Sequence, residues 1–81
     1  MDTLSTTNSK ILIVDDDSSV RNLIQRFLSR NYQVESAADG KAALILFEQL
    51  NPALVILDWN LPDANGYKLC QEMQSRTNVL V

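Results

Sequence analysis

Short, unbroken apolar runs along the chain predict buried β-strands. Lys10–Val14 and residues 53–57 are apolar almost throughout, which is typical of strands that are covered on both faces. Residues 32–36 instead alternate, with Val34 between two polar residues, and this half-polar pattern favours a strand at the edge of a sheet. Residues 79–81 are again apolar and predict the beginning of a fourth strand.

The stretches between these runs carry apolar residues at spacings of three and four, which predict amphipathic helices. The predicted helices cover residues 18–30, 40–51 and 66–75. Asp17 stands just before the first helix and predicts an N-terminal cap. Asp39 is interpreted as a turn or cap residue, and Asp63 as a turn residue within a loop over residues 59–65.

Strands and helices alternate regularly, which predicts an α/β fold with a parallel sheet joined by right-handed crossovers. With the strand from Lys10 in the centre and the half-polar strand at the edge, the predicted strand order is 2-1-3-4. Ligands bind at the carboxyl ends of strands beside the point where the crossovers change direction. Asp15, Asp16 and Asp58 directly follow two such strands, so we expect three carboxylates to converge.

Carboxylates gathered in one place repel each other unless a cation lies between them. Mg²⁺ fits better than Zn²⁺, because the expected ligands are all oxygen, the chain contains no His, and its one cysteine, Cys70, lies on a predicted helix elsewhere. A magnesium site of this kind accepts phosphate oxygens. The cluster therefore predicts phosphoryl transfer, with Asp58 as the nucleophile and Trp59 at the rim of the site.

Composition limits the alternatives. The chain has 81 residues, which is enough for one domain, and we predict a flexible polar arm over residues 1–9 followed by a domain over residues 10–81. The net charge is -3 and the seven Lys and Arg residues are scattered, so we expect no direct binding of nucleic acid. A polar start, a lone cysteine and the absence of a long apolar stretch predict a cytoplasmic protein without a membrane segment.

Four motifs in order resemble the receiver domain of two-component response regulators, in particular the chemotaxis type. They are ILIVDDD at 11–17, DG at 39–40 with the following Ala43 and Leu44, LVILD at 54–58, and LP at 61–62 with GY at 66–67. The resemblance implies a flavodoxin-like fold and a signalling module rather than an enzyme. It also implies that Asp58 takes a phosphoryl group from a histidine kinase or a phosphotransfer protein. By the same resemblance, Mg²⁺ is held by Asp15, Asp16 and Asp58 and by the backbone carbonyl of Asn60.

The resemblance covers residues 10–81 and only the front of the family's domain, so helix four, strand five and helix five are expected to be missing. Receivers place a Thr or Ser after strand four and a Lys on strand five, and both bind phosphoryl oxygens. Charge-assisted bonds of this type contribute ~1.5 to 3 kcal/mol each, so we expect phosphorylation of this chain to be slow. We also expect strand three to be bare on one face, and the isolated chain either to be partly molten or to self-associate through that exposed sheet face.

Two other functions are left open by the sequence. Residues 15–19 also read as Asp-x-Asp-x-Ser, which resembles haloacid-dehalogenase-type phosphatases with Asp15 as nucleophile, but this reading leaves residues 58–66 unexplained. The second alternative is an interaction module that binds a histidine kinase or a complete receiver without accepting phosphate. Phosphorylation of variants at Asp15 and Asp58 separates these functions.

Overall fold

The computed structural model describes residues 9–77 and 79–81, in which strands and helices alternate strictly. The elements are β1 (Lys10–Val14), α1 (Ser18–Leu28), β2 (Gln33–Ala37), α2 (Gly40–Leu50), β3 (Leu54–Leu57) and α3 (Gly66–Arg76). The strands form a parallel sheet in the order β2-β1-β3, with Val14 paired to Ala37 on one side and to Leu57 on the other. The predicted α/β architecture and the central position of β1 are confirmed.

The segment predicted as a fourth strand lies next to β3, on the expected side. Leu80 forms a single parallel bridge with Leu54. The Val55 N–H donates to the Leu80 carbonyl at 2.8 Å, and the Leu80 N–H donates to the Ala53 carbonyl at 3.3 Å. Residues 1–8 of the predicted arm lie outside the described residues, whereas Ser9 is buried.

The helices begin at the predicted residues, and their ends differ from the prediction by one or two residues. α1 ends at Leu28 rather than at residue 30, because the N–H groups of Asn31 and Tyr32 both donate to the Leu28 carbonyl and turn the chain towards β2. α2 ends at Leu50, since Asn51 adopts the left-handed conformation with φ 49°. Asn tolerates this conformation better than most residues, so it suits a helix end.

α2 and α3 cover one face of the sheet, which we call the closed face. Its buried side chains are Leu12, Val14, Ala37, Ala43, Phe47, Leu50, Val55, Leu69, Met73 and Val79. They come from every strand and from both helices, so the closed face contains most of the apolar core. Burial of this kind is the main source of fold stability, at ~25 cal/mol per Å² of apolar surface.

The opposite face, which we call the open face, is covered by α1 alone. Ile11, Ile13 and Val34 are buried beneath α1. Leu23 and Phe27 on the same helix are 69% and 73% exposed. Together with a half-buried side chain of β3 they border an apolar depression, lined by Leu23, Ile24, Phe27, Leu28 and Ile56. The open face is therefore partly bare over β3, as predicted.

None of the helices in the described part of the chain is long and apolar enough to span a bilayer.

Candidate functional site

The candidate site lies at the carboxyl ends of β1 and β3. Asp15 and Asp16 follow the last residue of β1, and Asp58 follows the last residue of β3. The Asp58 N–H donates to the Val14 carbonyl at 2.8 Å, and the Asp15 N–H donates to the Ala37 carbonyl at 3.1 Å. Because the backbone ladder continues one residue beyond the strands, the side chains emerge at the same edge of the sheet.

Asp15, Asp16 and Asp58 each bring one carboxylate oxygen to within 4.8 Å of the other two. Asp15 and Asp58 are half-buried, and Asp16 is exposed. One oxygen of Asp15 accepts the Asp17 N–H at 2.9 Å, and one oxygen of Asp58 accepts the Asn60 N–H at 3.4 Å. These two bonds orient the half-buried carboxylates and leave an oxygen of each for another ligand. The structure thus brings together the three acidic side chains that the sequence singled out.

The donor set fits a hard divalent cation. The cluster offers three carboxylate oxygens and contains no nitrogen or sulfur ligand. Mg²⁺ and Ca²⁺ prefer oxygen ligands of this kind. Mg²⁺ binds oxygen at 2.0 to 2.1 Å, so two oxygens on opposite sides of the ion are about 4.2 Å apart. The observed spacing of up to 4.8 Å is slightly wider than this. The three carboxylates are therefore close enough together that they could hold one such ion.

Asn60 lies in the β3–α3 loop, which folds back on itself. Asn60 and Asn65 form an isolated antiparallel bridge, and the Gly66 N–H donates to the Trp59 carbonyl at 2.9 Å. Among the described residues, no N–H donates to the Asn60 carbonyl. This carbonyl is therefore available as a ligand, while the closed loop restricts where it can lie.

Gly66 allows α3 to begin directly against the site. A Cβ atom at this position would lie 2.7 Å from the Asp58 carbonyl oxygen and 2.8 Å from the Trp59 Cα atom. These are backbone atoms, which cannot swing away as the end of a flexible side chain can. Any larger residue must therefore displace the backbone that carries Asp58.

The β1–α1 loop is held by short-range contacts. Asp17 caps α1 as predicted, since one of its carboxylate oxygens accepts the N–H groups of Ser19 (2.9 Å) and Val20 (3.3 Å). The Arg21 guanidinium donates to the Asp15 carbonyl at 2.7 Å. This contact of Arg21 was not predicted from the sequence, although a basic residue one turn into a helix can reach back to the preceding loop.

Asp63 lies in the loop as predicted, and it does more than the predicted turn chemistry. Its two carboxylate oxygens accept the N–H groups of Gly40 (2.7 Å) and Lys41 (3.0 Å) at the start of α2. The hydrogen bond from Gly40, followed by that from Lys41, lowers the pKa of Asp63 below its ordinary value. Asp39 caps the same helix through the Ala42 N–H at 2.8 Å. Two carboxylates therefore share the start of α2.

Trp59 lies at the rim of the site, as predicted, and is 61% exposed. Its ring is 6.1 Å from that of Tyr67, centroid to centroid, with an angle of 51° between the planes. An exposed indole next to Asp58 is a natural optical reporter for binding at the cluster.

Comparison with known proteins places these features in a family. Residues 11–81 match the family described as response regulator receiver domain. The chain is 45% identical, over 90% of its length, to the probable transcriptional regulator ycf27 of Guillardia theta. Its fold is similar to that of the chemotaxis response regulator CheY4 of Vibrio cholerae, with 36% identity, a TM-score of 0.78 and 86% of this chain covered.

A third similar structure is the response regulator protein TrrA of Thermotoga maritima, in complex with Mg²⁺ and a beryllium fluoride. It is 32% identical, with a TM-score of 0.79, and 86% of this chain is covered. The chain spans less than a third of the length of the curated relatives, 29% for the Guillardia protein. It spans 61% and 62% of the Vibrio and Thermotoga structures.

Proposed function

The chain belongs to the response regulator receiver domain family of two-component signalling, and from this membership we propose that Asp58 is its phosphoryl acceptor. The observation that carries the proposal is the cluster of three carboxylates within 4.8 Å of each other, in which Asp58 is the one that follows β3. Asp58 is half-buried at the sheet edge, so its free oxygen faces a solvent-accessible site that a phosphodonor can reach.

In the proposed reaction an Asp58 carboxylate oxygen attacks the phosphorus of the donor. The new oxygen–phosphorus bond forms as the bond from phosphorus to the donor's leaving atom breaks, and the leaving group takes the electron pair and a proton from solvent. The product on this chain is an acyl phosphate. The Asn60 N–H donates to the other Asp58 oxygen, with 3.4 Å between the nitrogen and the oxygen. This hydrogen bond holds the carboxylate in one orientation for the attack.

We further propose that Asp15, Asp16, Asp58 and the backbone carbonyl of Asn60 hold Mg²⁺. When bound, Mg²⁺ offsets the negative charge that gathers on the phosphoryl oxygens. The oxygen-only donor set and its spacing support this ion. Asp16 is the expected direct ligand, since it is exposed and accepts no hydrogen bond from the described residues.

A histidine kinase or a phosphotransfer protein is the proposed donor, because both carry phosphohistidine. The domain over residues 10–81 and the cytoplasmic location stay predictions; the family match over residues 11–81 supports the former.

The proposal is tested by incubating the chain with acetyl phosphate and Mg²⁺ and measuring its intact mass. We expect slow addition of one phosphoryl group, which hydroxylamine removes because it cleaves acyl phosphates. Asp58→Asn should abolish the addition, whereas Asp15→Asn should slow it and leave the modified residue unchanged. If the phosphoryl group is still added in Asp58→Asn but not in Asp15→Asn, Asp15 is the nucleophile, as in the haloacid-dehalogenase-type alternative.

Metal binding is measured separately by the fluorescence of Trp59, the only Trp in the chain. Mg²⁺ should change the emission of the wild type, and Asp16→Asn should lose this response. A wild type that responds to Mg²⁺ but is never phosphorylated would support the interaction module instead. An emission that ignores Mg²⁺ would contradict the metal site.

Self-association through the open face stays a prediction. Phe27 is 73% exposed beside an apolar depression, and large apolar patches are typical of surfaces that bind other proteins. Sedimentation velocity of Phe27→Glu should show a monomer where the wild type associates. Ile45→Glu is the matched control, because Ile45 is also exposed but lies on α2, on the other side of the sheet.

A further inference from the structure

We propose that Asp63 is a positioning residue, whose carboxylate ties the β3–α3 loop to the start of α2 and so sets where the Asn60 carbonyl lies. The inference rests on the proposed function, because it concerns a ligand of the proposed Mg²⁺ site.

The contact is bidentate and long in range. One oxygen of Asp63 accepts the Gly40 N–H and the other accepts the Lys41 N–H, from positions 23 and 22 residues away in the chain. Hydrogen bonds to a carboxylate are shorter and stronger than those between neutral groups, and the positive end of the helix dipole adds to the attraction. Because one planar carboxylate accepts both bonds, they fix the orientation of the loop as well as its distance from α2.

α2 does not require Asp63 in order to begin. Asp39 already occupies the N-cap position and accepts the Ala42 N–H. A local cap of this kind is the usual way in which a helix start is stabilised. The additional carboxylate from another loop therefore has its main structural effect on that loop.

Close packing accompanies the hydrogen bonds. Gly40 is buried, and a Cβ atom at this position would lie 2.6 Å from the Ala64 Cβ atom. The residue next to Asp63 is thus in direct contact with the start of α2, which is possible because Gly40 has no side chain. The hydrogen bonds of Asp63 and the packing of Ala64 against Gly40 therefore hold the same part of the loop, residues 63–64.

A displacement of Asp63 is transmitted to Asn60 because the loop is closed on itself. Asn60 pairs with Asn65, and the Gly66 N–H bonds to the Trp59 carbonyl. A shift at residues 63–64 therefore moves both sides of the loop together. Asp58 is held differently, since its N–H bonds to the Val14 carbonyl on β1. Loss of Asp63 should therefore displace the Asn60 carbonyl more than the Asp58 nucleophile.

The experiment compares Asp63→Ala with Asp39→Ala, in the whole chain. Both variants remove a carboxylate from the start of α2, but only the first releases the loop. The dissociation constant for Mg²⁺ is measured by Trp59 fluorescence, and phosphorylation by acetyl phosphate is measured at saturating Mg²⁺. We expect Asp63→Ala to weaken Mg²⁺ binding by about tenfold, the lower end of the range for residues that orient metal ligands. Its phosphorylation rate at saturating Mg²⁺ should stay close to that of the wild type.

Asp39→Ala should lower the melting temperature while keeping wild-type affinity for Mg²⁺. Asp63→Asn has one acceptor oxygen and no charge, so it should recover part of the affinity that Asp63→Ala loses. Equal loss of Mg²⁺ affinity in Asp39→Ala and Asp63→Ala would overturn the inference, because the effect would then pass through the stability of α2.

Hydrogen exchange of the loop amides provides a readout without metal. Asp63→Ala should speed exchange of the Gly66 N–H in the metal-free chain, and Asp39→Ala should not. Unchanged exchange at Gly66 in Asp63→Ala would overturn the inference and leave the proposed function standing. A wild type without any response to Mg²⁺ would instead contradict the metal site, and the inference with it.

Discussion

Two loops at the carboxyl edge of the sheet supply the clustered carboxylates, and they are held in different ways. The β1–α1 loop carries Asp15 and Asp16. Apart from the Asp15 N–H, which continues the backbone ladder to Ala37, its contacts come from Asp17 and Arg21, at most six residues away. The β3–α3 loop carries Asp58, and Asp63 within it contacts residues that are 22 and 23 positions distant. One loop is therefore built by local sequence, and the other depends on the folded arrangement of α2 and β3.

The difference predicts how each loop responds to substitution. Changes in the β1–α1 loop should lower stability through the helix cap and leave the backbone of Asp15 and Asp16, which directly follow β1, in place. Changes in the β3–α3 loop should alter the proposed metal site directly, because residues 59–65 belong to no strand or helix that would hold the shape of the loop.

The largest effect is expected for Gly66→Ala. The new Cβ atom would meet the backbone of Asp58 and Trp59 at 2.7 to 2.9 Å. Overpacking of this kind costs about 1 to 3 kcal/mol. The gain from a less flexible unfolded chain is about 0.4 to 1 kcal/mol, so the net effect should be destabilising. Urea unfolding measures the stability, and the Trp59 response to Mg²⁺ should weaken at the same time.

Ser18→Ala is the matched control, because Ser18 is the first residue of α1 as Gly66 is of α3. Ser18 is exposed, so its replacement should change stability by less than about 0.5 kcal/mol. Equal stability of the two variants would contradict the close approach at Gly66.

A smaller effect is expected when the N-terminal caps of α1 and α3, the helices that follow the two loops, are removed. Asp17→Ala and Asn65→Ala each remove the side chain that accepts two N–H groups at a helix start. Each should lower the free energy of unfolding by about 1 kcal/mol. Asn65 also faces Asn60 across the bridge in the loop. We therefore expect Asn65→Ala to weaken Mg²⁺ binding more than Asp17→Ala does, as measured by Trp59 fluorescence.

Asp17→Asn separates the two roles of Asp17. It keeps an oxygen that can cap α1 but removes a charge near the proposed metal site, so the stability of this variant should stay near that of the wild type. If Asp17→Ala weakens Mg²⁺ binding as strongly as Asn65→Ala while Asp17→Asn does not, the β1–α1 loop also depends on its cap for metal binding. The contrast between the loops would then be lost.

Much of the fold could be predicted from the sequence because its signals are local. The unbroken apolar character of β1, the alternation in β2 and the spacing in the helices each report burial of that segment alone, and the crossover rule then limits the sheet to few orders. The ends of α1 and α2 could not be predicted to the residue. Residues 29 and 30 are compatible with a helix, and no Gly or Pro marks the turn in which the N–H groups of Asn31 and Tyr32 donate to the Leu28 carbonyl.

The site was predictable in part for the same reason. Three carboxylates follow apolar strands, and the geometry of a parallel sheet brings strand ends together. The contact of Asp63 could not be found in this way, since Asp next to Pro has an ordinary local explanation in turn chemistry. Its partners at Gly40 and Lys41 become neighbours only when α2 has packed against β1 and β2.

The smallest predicted effect is a pH dependence that isolates Asp63. Its pKa in the folded chain is lowered, first by the hydrogen bond from Gly40 and then by that from Lys41. In the unfolded chain these bonds are absent, so the pKa returns to the ordinary value of about 3.9 for Asp. The unfolded state therefore binds more protons in this range, and the stability from Asp63 rises with pH. This stability is fully present above about pH 4 to 5 and is lost as the pH falls through the lowered pKa.

Urea midpoints of wild type and Asp63→Asn should therefore differ most near neutral pH and converge in acid. Other carboxylates titrate in both proteins and cancel in the difference. A gap between the two midpoints that stays constant down to acid pH would mean that the ionised carboxylate does not hold the loop to α2.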